Sequence, residues 1–268
     1  MPVYSGVPAN HLRRALQSVY EQSFSATEVI VVEDGALDVD QHTVLDEFTG
    51  AQPPLRRIVL PVNQGAGVAN QQGLLAATGD WIAKMDADDI CVPTRFEKQV
   101  ELLRSGEVDV LGAAMTEFEM DEQNVTALRR SPITHDEIAA RMRMNSPINH
   151  PTSIYRRELA IRVGGYPDMR YMQDYDLFAR MLTGGARMAN TTEPLVLFRA
   201  DEGMYRRRGS SAMTHCEIRL QRNLRRYGVI GLPRMVTNLI LRLIFRRLPR
   251  PLLRSAYRIL FHSQKGAA

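Results

Sequence analysis

Apolar residues change their spacing in blocks along the chain. After Pro8, residues Leu12, Ala15, Leu16, Val19 and Tyr20 recur at three- and four-residue intervals, the period of one helical face, and Asn10 is placed to cap that helix. Residues 28–32, an apolar β-branched run, lead straight into Glu33, Asp34 and Gly35, as a buried parallel strand would. Residues 57–60 predict another strand, 67–77 a helix, and 81–85 a strand that runs directly into Asp86, Ala87, Asp88 and Asp89. Pro93 suits the N-terminus of a helix over 94–103, and 109–115 reads as a strand. The second half is less regular. It predicts a strand at 152–155, helices near 157–163 and 174–182, a strand at 195–199, and a turn at Gly164 and Gly165.

Strand and helix therefore alternate, which argues for an α/β fold whose ligands gather beyond the carboxyl ends of parallel strands. Glu33, Asp34 and the Asp86–Asp89 cluster all fall at such ends. Three carboxylates closing an apolar strand repel one another unless a cation is bound, and Mg²⁺ or Mn²⁺ takes hard oxygen ligands of this kind, with few from the protein when a diphosphate supplies the rest. Spacing alone fits an exposed acidic turn with Asp89 capping the next helix equally well.

Composition adds less than charge distribution does. The 44% hydrophobic content of 268 residues suffices for a core. Cys91 and Cys216 have no partner spacing for zinc or a disulfide framework, which fits a reducing compartment. No signal peptide is read at the start, and arginines interrupt every apolar run before the ~20 residues of a bilayer span, so a cytoplasmic protein is expected. The net charge of +4 conceals an asymmetry: beyond Glu217 there is no Asp or Glu, while eleven Arg and one Lys follow. In that tail Leu232, Met235, Val236, Leu239, Ile240, Leu243 and Ile244 follow helical spacing, with a second amphipathic helix around Leu252 to Leu260. The pattern suits a helix on an anionic membrane surface, packing of the apolar stripe on the main domain, or nucleic-acid binding. Sparse aromatic residues disfavour the last, and no nucleic acid is expected as partner. The domains expected are 1–217 and a basic tail, 218–268.

Six segments then occur in one order: Met1-Pro-Val-Tyr4, Val29 to Gly35, Asn63-Gln-Gly65, Ala77 to Trp81, Met85 to Asp89, and Gln173-Asp-Tyr-Asp-Leu177. In that order they resemble family 2 inverting glycosyltransferases of the GT-A fold, over residues 1–200, and within them bacterial enzymes of exopolysaccharide, capsule or O-antigen assembly. The resemblance implies a mixed, mainly parallel sheet flanked by helices, a donor that is a UDP-sugar or another NDP-sugar, a divalent metal, and a glycan or lipid-linked glycan acceptor at the inner face of the cell membrane. By matched position it implies that Pro2, Val3 and Tyr4 border the nucleobase, that Glu33 and Asp34 read the base edge or ribose, and that Asp86 approaches the ribose. Asp88 would hold the metal with support from Asp89, Asn63 and Gly65 would lie against the donor, and Arg199 and Arg208 would close on the diphosphate. Asp174 would be the general base, although carboxylates at a helix start are favoured by the dipole anyway. His150 would help to bind the acceptor, although a lone histidine is commonly structural.

The sequence departs from the family in two places. Gln173 stands where a Glu often precedes the catalytic Asp, and relatives carry several apolar residues before the Pro-Val-Tyr segment. The second departure sets the expectation that the native protein begins upstream of Met1. Two rivals remain: a sugar nucleotidyltransferase, which needs a Gly-rich loop with a basic residue after the first strand, and a catalytically inactive relative that anchors an assembly at the membrane.

Overall fold

The computed structural model describes residues 1–200 and 211–247. Arg208 and the helix expected around Leu252 to Leu260 lie outside these residues. Strands β1 (Pro2–Val3), β2 (Val29–Asp34) and β3 (Leu55–Leu60) form a parallel sheet in that order, with Pro2 opposite Val32 and Val29 opposite Leu55. Helix α1 (Ala9–Tyr20) buries Leu12, Ala15, Leu16 and Val19 as the spacing predicts. Asn10 does not cap it. The cap is Pro8, whose missing N–H costs nothing at a helix start, and Asn10 is exposed inside the first turn. Helix α2 (Val39–Glu47) opens on a capping box between Asp38 and Gln41, which satisfies two backbone donors that a helix start leaves open. Helix α3 (Ala66–Ala76) then returns the chain to β4 (Trp81–Ala83).

The second sheet has the order β4, β8 (Ile154–Arg156), β6 (Val110–Phe118), β9 (Met188–Arg199), β5 (Ile90–Cys91), with β7 (Val125–Arg129) beside β6. The α/β expectation holds. Parallel pairing joins β1 to β2, β2 to β3 and β6 to β9, and the other ladders of the second sheet are antiparallel. The β6–β9 register shifts around Ala114, which faces Pro194, because a proline offers no ladder N–H there. Helix α4 (Arg95–Leu103) follows β5, α5 (His135–Met142) follows β7, and α6 (Arg157–Arg162) follows β8. The strand expected from Thr152 begins at Ile154, since His150–Thr152 form a turn of 3₁₀ helix.

Helix α7 (Gln173–Thr183) buries Tyr175, Leu177, Phe178 and Met181, and α8 (Ser211–Arg226) passes without a break through residue 217. Leu220, Leu224 and Ile230 join Leu177, Phe178 and Ile138 in one core cluster. Helix α9 (Leu232–Arg247) packs on α8. No helix among the described residues is long and apolar enough to cross a membrane. No backbone pairing joins β1 or β2 to β4. Between them lies an apolar cavity of about 490 Å³ lined by Met1, Ile30, Trp81, Ala83, Phe96 and Leu103 among others.

Candidate active site

The sequence puts acids at the ends of β2 and β4 and in the first turn of α7, and the fold decides what each acid faces. At the end of β4 the ladder runs one residue further, with Lys84 N donating to Ser153 O at 2.9 Å. The Lys84 side chain is buried, and its Nζ donates to Met85 O and to Asp86 Oδ1. Burial acts to raise the Asp86 carboxyl, but Lys84 and, after it, His150 outweigh burial and hold it below the ordinary range. Buried Arg95 fixes the strand end by donating to Lys84 O at 2.9 Å and Gln99 Oε1 at 3.0 Å. Asp89 is also buried. Its Oδ1 accepts from Arg199 N at 2.9 Å, and its buried Oδ2 has no hydrogen-bond partner among the described residues. Burial first, then the Asp88 and Asp86 carboxylates, push the Asp89 carboxyl well above its ordinary value. Arg199 donates from Nε to Asp88 O at 3.1 Å while its guanidinium lies 4.5 Å over the Phe118 ring. Arg199 thus clasps the acidic turn through backbone and ring contacts.

At the end of β2 the two acids have different tasks. Glu33 is buried and accepts from Arg57 Nε at 2.6 Å, with His42 Nδ1 3.8 Å away. Asp34 holds the next loop: Oδ1 accepts from Gln64 N at 2.6 Å, Oδ2 from Gly65 N at 2.9 Å, and its carbonyl from Asn63 Nδ2 at 3.1 Å. Gly65 sits at φ +90°, a conformation that a side chain would strain. Asn63 and Gly65 are therefore fixed to Asp34 just before α3. Beside them Val3 is buried in β1 and Tyr4 is 42% exposed, with its carbonyl held by Gln41 Nε2 at 2.9 Å.

Asp174 lies in the first turn of α7, where the helix dipole favours a carboxylate. The residue that starts this helix, Met172, has φ +62°, outside the range most L-residues adopt. Asp176, one step deeper, is fully buried. It accepts from Arg180 Nε at 2.8 Å, Asn223 Nδ2 at 2.7 Å and Tyr227 Oη at 3.3 Å, so α8 is bonded to the helix that carries Asp174. Arg180 also donates to Val163 O and Gly165 O.

His150 is tied to a pair of tyrosines. Its Nε2 pairs with Tyr166 Oη at 2.9 Å, which in turn pairs with Tyr155 Oη at 2.9 Å. Burial and Lys84 push the imidazole down to about 4 against the pull of Asp174 and Asp86. The ring is therefore neutral near pH 7, and Asp86 and Asp174, from separate elements, act on one imidazole. The structure thus holds Asp86 on buried Lys84 and Asp89 on Arg199 N within one acidic turn after β4, and sets Asp174 in the first turn of α7. Glu33 and Asp34 stand at the end of the neighbouring sheet. None of Asp88, Asp89 and Asp174 lines the cavity between the sheets, so that cavity is not this site. Sequence reasoning missed Lys84 and Asp176. A lysine inside an apolar strand run was the available signal for the first, whereas the second needed partners 47 and 51 residues away.

A family model described as glycosyl transferase family 2 matches residues 1–164. The chain is 35% identical over 258 residues to an uncharacterized glycosyltransferase of Haemophilus influenzae, covering 96% of each chain. It is 31% identical to the amylovoran biosynthesis glycosyltransferase AmsE of Erwinia amylovora, covering 95% of each. It is 28% identical to an Escherichia coli UDP-Gal:alpha-D-GlcNAc-diphosphoundecaprenol beta-1,3-galactosyltransferase, covering 93% of this chain and 90% of that one. Among solved structures, S. aureus TarS 1-349 in complex with UDP-GlcNAc superposes with a TM-score of 0.66 at 17% identity, covering 97% of this chain and 74% of that one. The Pyrobaculum calidifontis mannosyltransferase PcManGT in complex with GDP-Man and Mn²⁺ gives 0.63 at 16% identity, covering 100% and 74%. These two likenesses show the GT-A fold.

Proposed function

Because the chain belongs to glycosyl transferase family 2 and is a glycosyltransferase, we propose that it moves a sugar with inversion from a UDP-sugar to a hydroxyl of a lipid-linked glycan during surface polysaccharide assembly. The observation that supports this reading is the acidic turn after β4, where buried Lys84 donates to Asp86 and buried Asp89 accepts from Arg199 N. Relatives named for amylovoran synthesis and for a diphosphoundecaprenol-linked acceptor support the acceptor class.

In this reading Pro2, Val3 and the exposed Tyr4 border the base. Asp34, through Asn63 and Gly65, shapes the loop against the donor, with Glu33 braced behind it by Arg57. Asp86, held ionised by Lys84, meets the ribose, and Arg199 closes over the acidic turn; Arg208 would add a second cation there. The acidic turn fits a hard divalent cation, Mn²⁺ or Mg²⁺, because among the described residues Asp89 keeps a buried oxygen without a partner, and burial, then the Asp88 and Asp86 carboxylates, disfavour its charge. Among the described residues no three His, Cys, Asp or Glu side chains form a ready-made cage, so Asp88, backed by Asp89, would be the main protein ligand and diphosphate oxygens would supply others. When bound, such a cation neutralises charge that develops on the departing diphosphate.

Asp174 accepts the proton of the acceptor hydroxyl as that oxygen attacks the anomeric carbon, and the bond to the nucleoside diphosphate breaks on the opposite face. One displacement inverts the centre. His150, neutral and oriented by Tyr166, offers a hydrogen bond to the incoming acceptor. We place the enzyme on the inner face of the cell membrane, where a lipid-linked acceptor is met.

Calorimetric titration with UDP, GDP and dTDP, each with and without Mn²⁺ and repeated on Asp88→Ala, tests the donor site. Metal-dependent tightening of UDP that is lost in the variant is expected. Absence of nucleotide binding by the folded protein would replace the reading with that of an inactive relative.

A further inference from the structure

Helix α9 has apolar residues on two opposite faces, and the fold uses only one of them. Inward, Asn238 Nδ2 donates to Gln221 Oε1 at 3.1 Å and to Arg143 O at 2.9 Å, and Arg242 Nη1 donates to the buried Glu217 at 3.0 Å. These bonds fix the helix on α8 and on the end of α5, and they fix which way it is turned. Outward, Leu232, Val236, Ile240 and Ile244 recur every fourth residue and are 45–57% exposed, with Leu241 at 59% beside them. Residues four apart share a helix face, so this is one continuous aliphatic stripe whose orientation is set by polar bonds on the other side.

The surroundings of the stripe say what covers it. Arg234, exposed and seven residues before exposed Leu241, lies on that flank of the helix. No Asp or Glu occurs after Glu217. An aliphatic stripe flanked by arginine and free of acids matches a helix lying in a headgroup boundary and draws toward anionic lipid. A second copy of the same face would bring arginine against arginine, which opposes self-association.

We propose that the outward face of α9 seats in the boundary of an anionic bilayer, with Leu232, Val236, Ile240 and Ile244 entering the acyl region and Arg234 meeting lipid phosphates. This rests on the reading that the acceptor is lipid-linked, and it extends it. α9 is bonded to α8, and α8 is bonded through Asn223, with Tyr227 just beyond its end, to Asp176 on α7, so a seated α9 fixes the height of Asp174 above the lipid surface.

The full chain is tested by co-sedimentation with phosphatidylcholine vesicles with and without phosphatidylglycerol, at low and high salt, beside the double variant V236N/I240N and the variant R234Q. Expected are binding to anionic vesicles only, a fall in partition coefficient of about tenfold or more in V236N/I240N, and a weaker salt dependence in R234Q. UDP binding by V236N/I240N, unchanged from the parent, shows that the variant is folded. The proposal is overturned if the parent does not bind anionic vesicles, or if V236N/I240N binds as the parent does. It is also overturned if the double variant changes only the oligomeric state. Vesicle binding without nucleotide binding would refute the catalytic reading and leave this surface standing, and the reverse would refute the surface alone.

Discussion

Replacing Asp176 by Asn tests the bond between the helix that carries Asp174 and the helix behind it. Asp176 is fully buried and its partner Arg180 is 15% exposed. The amide keeps the size of the carboxylate but loses its charge, and its NH₂ meets N–H donors from Arg180 or Asn223 whichever way it turns. Removing one partner of a buried ion pair costs about 3–5 kcal/mol, because the other charge stays buried and uncompensated. Arg180 keeps two carbonyl acceptors, Val163 O and Gly165 O, which places the expected loss at the lower end, about 3 kcal/mol. For a chain of this size that is a fall in Tm of roughly 6–12 °C. The loss is measured by urea unfolding, with the m-value checked for constancy, alongside calorimetry. The double variant Asp176→Asn/Arg180→Met, which removes both charges, should recover part of it. A loss below about 1 kcal/mol, the range of a solvated surface pair, would refute the reasoning.

Three further outcomes follow from the same geometry. Asp174→Asn should lower kcat by about 10²–10⁴-fold while UDP affinity stays within error; a variant with near-parental turnover would remove Asp174 as the base. In Gly67→Ala the new Cβ would stand 2.4 Å from Pro167 O and 2.6 Å from Met169 O, so the start of α3 must separate from the loop before Asp174, at about 1–3 kcal/mol; unchanged stability would refute that close approach. The His150 imidazole is pushed down to about 4 from an ordinary 6.5. The unfolded chain therefore binds a proton that the folded one refuses, and stability present above pH 6.5 is lost as the pH falls toward 4, by at most about 3 kcal/mol. His150→Gln should flatten the stability curve across that window, and an unaltered slope would deny the depressed pKa.

Much of the fold could be read from the sequence because its signals are local. The periodicity of Leu12 to Tyr20, the β-branched run into Glu33, and the acids closing β4 each need only neighbours along the chain. What escaped reading depends on distant partners. Residues 125–129 are too short a run to announce β7, which exists because β6 receives it, whereas α5 did carry a local signal, the capping box of Thr134 and Glu137, before its Ile138 and Met142 join the α7 core. The helical spacing of Leu232 to Ile244 foretold α9 but could not divide its apolar residues into an inward and an outward face. That division comes from Asn238 and Arg242, whose partners lie as far off as residues 143 and 144. In the site, Glu33 reads as a ligand-facing acid until Arg57, brought alongside by β3, is seen to occupy it.

Met172 shows a conflict between what suits the chain and what suits its chemistry. A left-handed backbone costs a residue with a side chain about 1–2 kcal/mol, and glycine would remove that cost. Yet the Met172 side chain packs against the α7 core, and such strained positions persist only where their surroundings over-determine them. A library of variants at 172 selected for heat resistance and one selected for turnover should therefore drift apart, the first accepting residues that relax the turn, the second keeping those that hold Asp174 on a fixed heading.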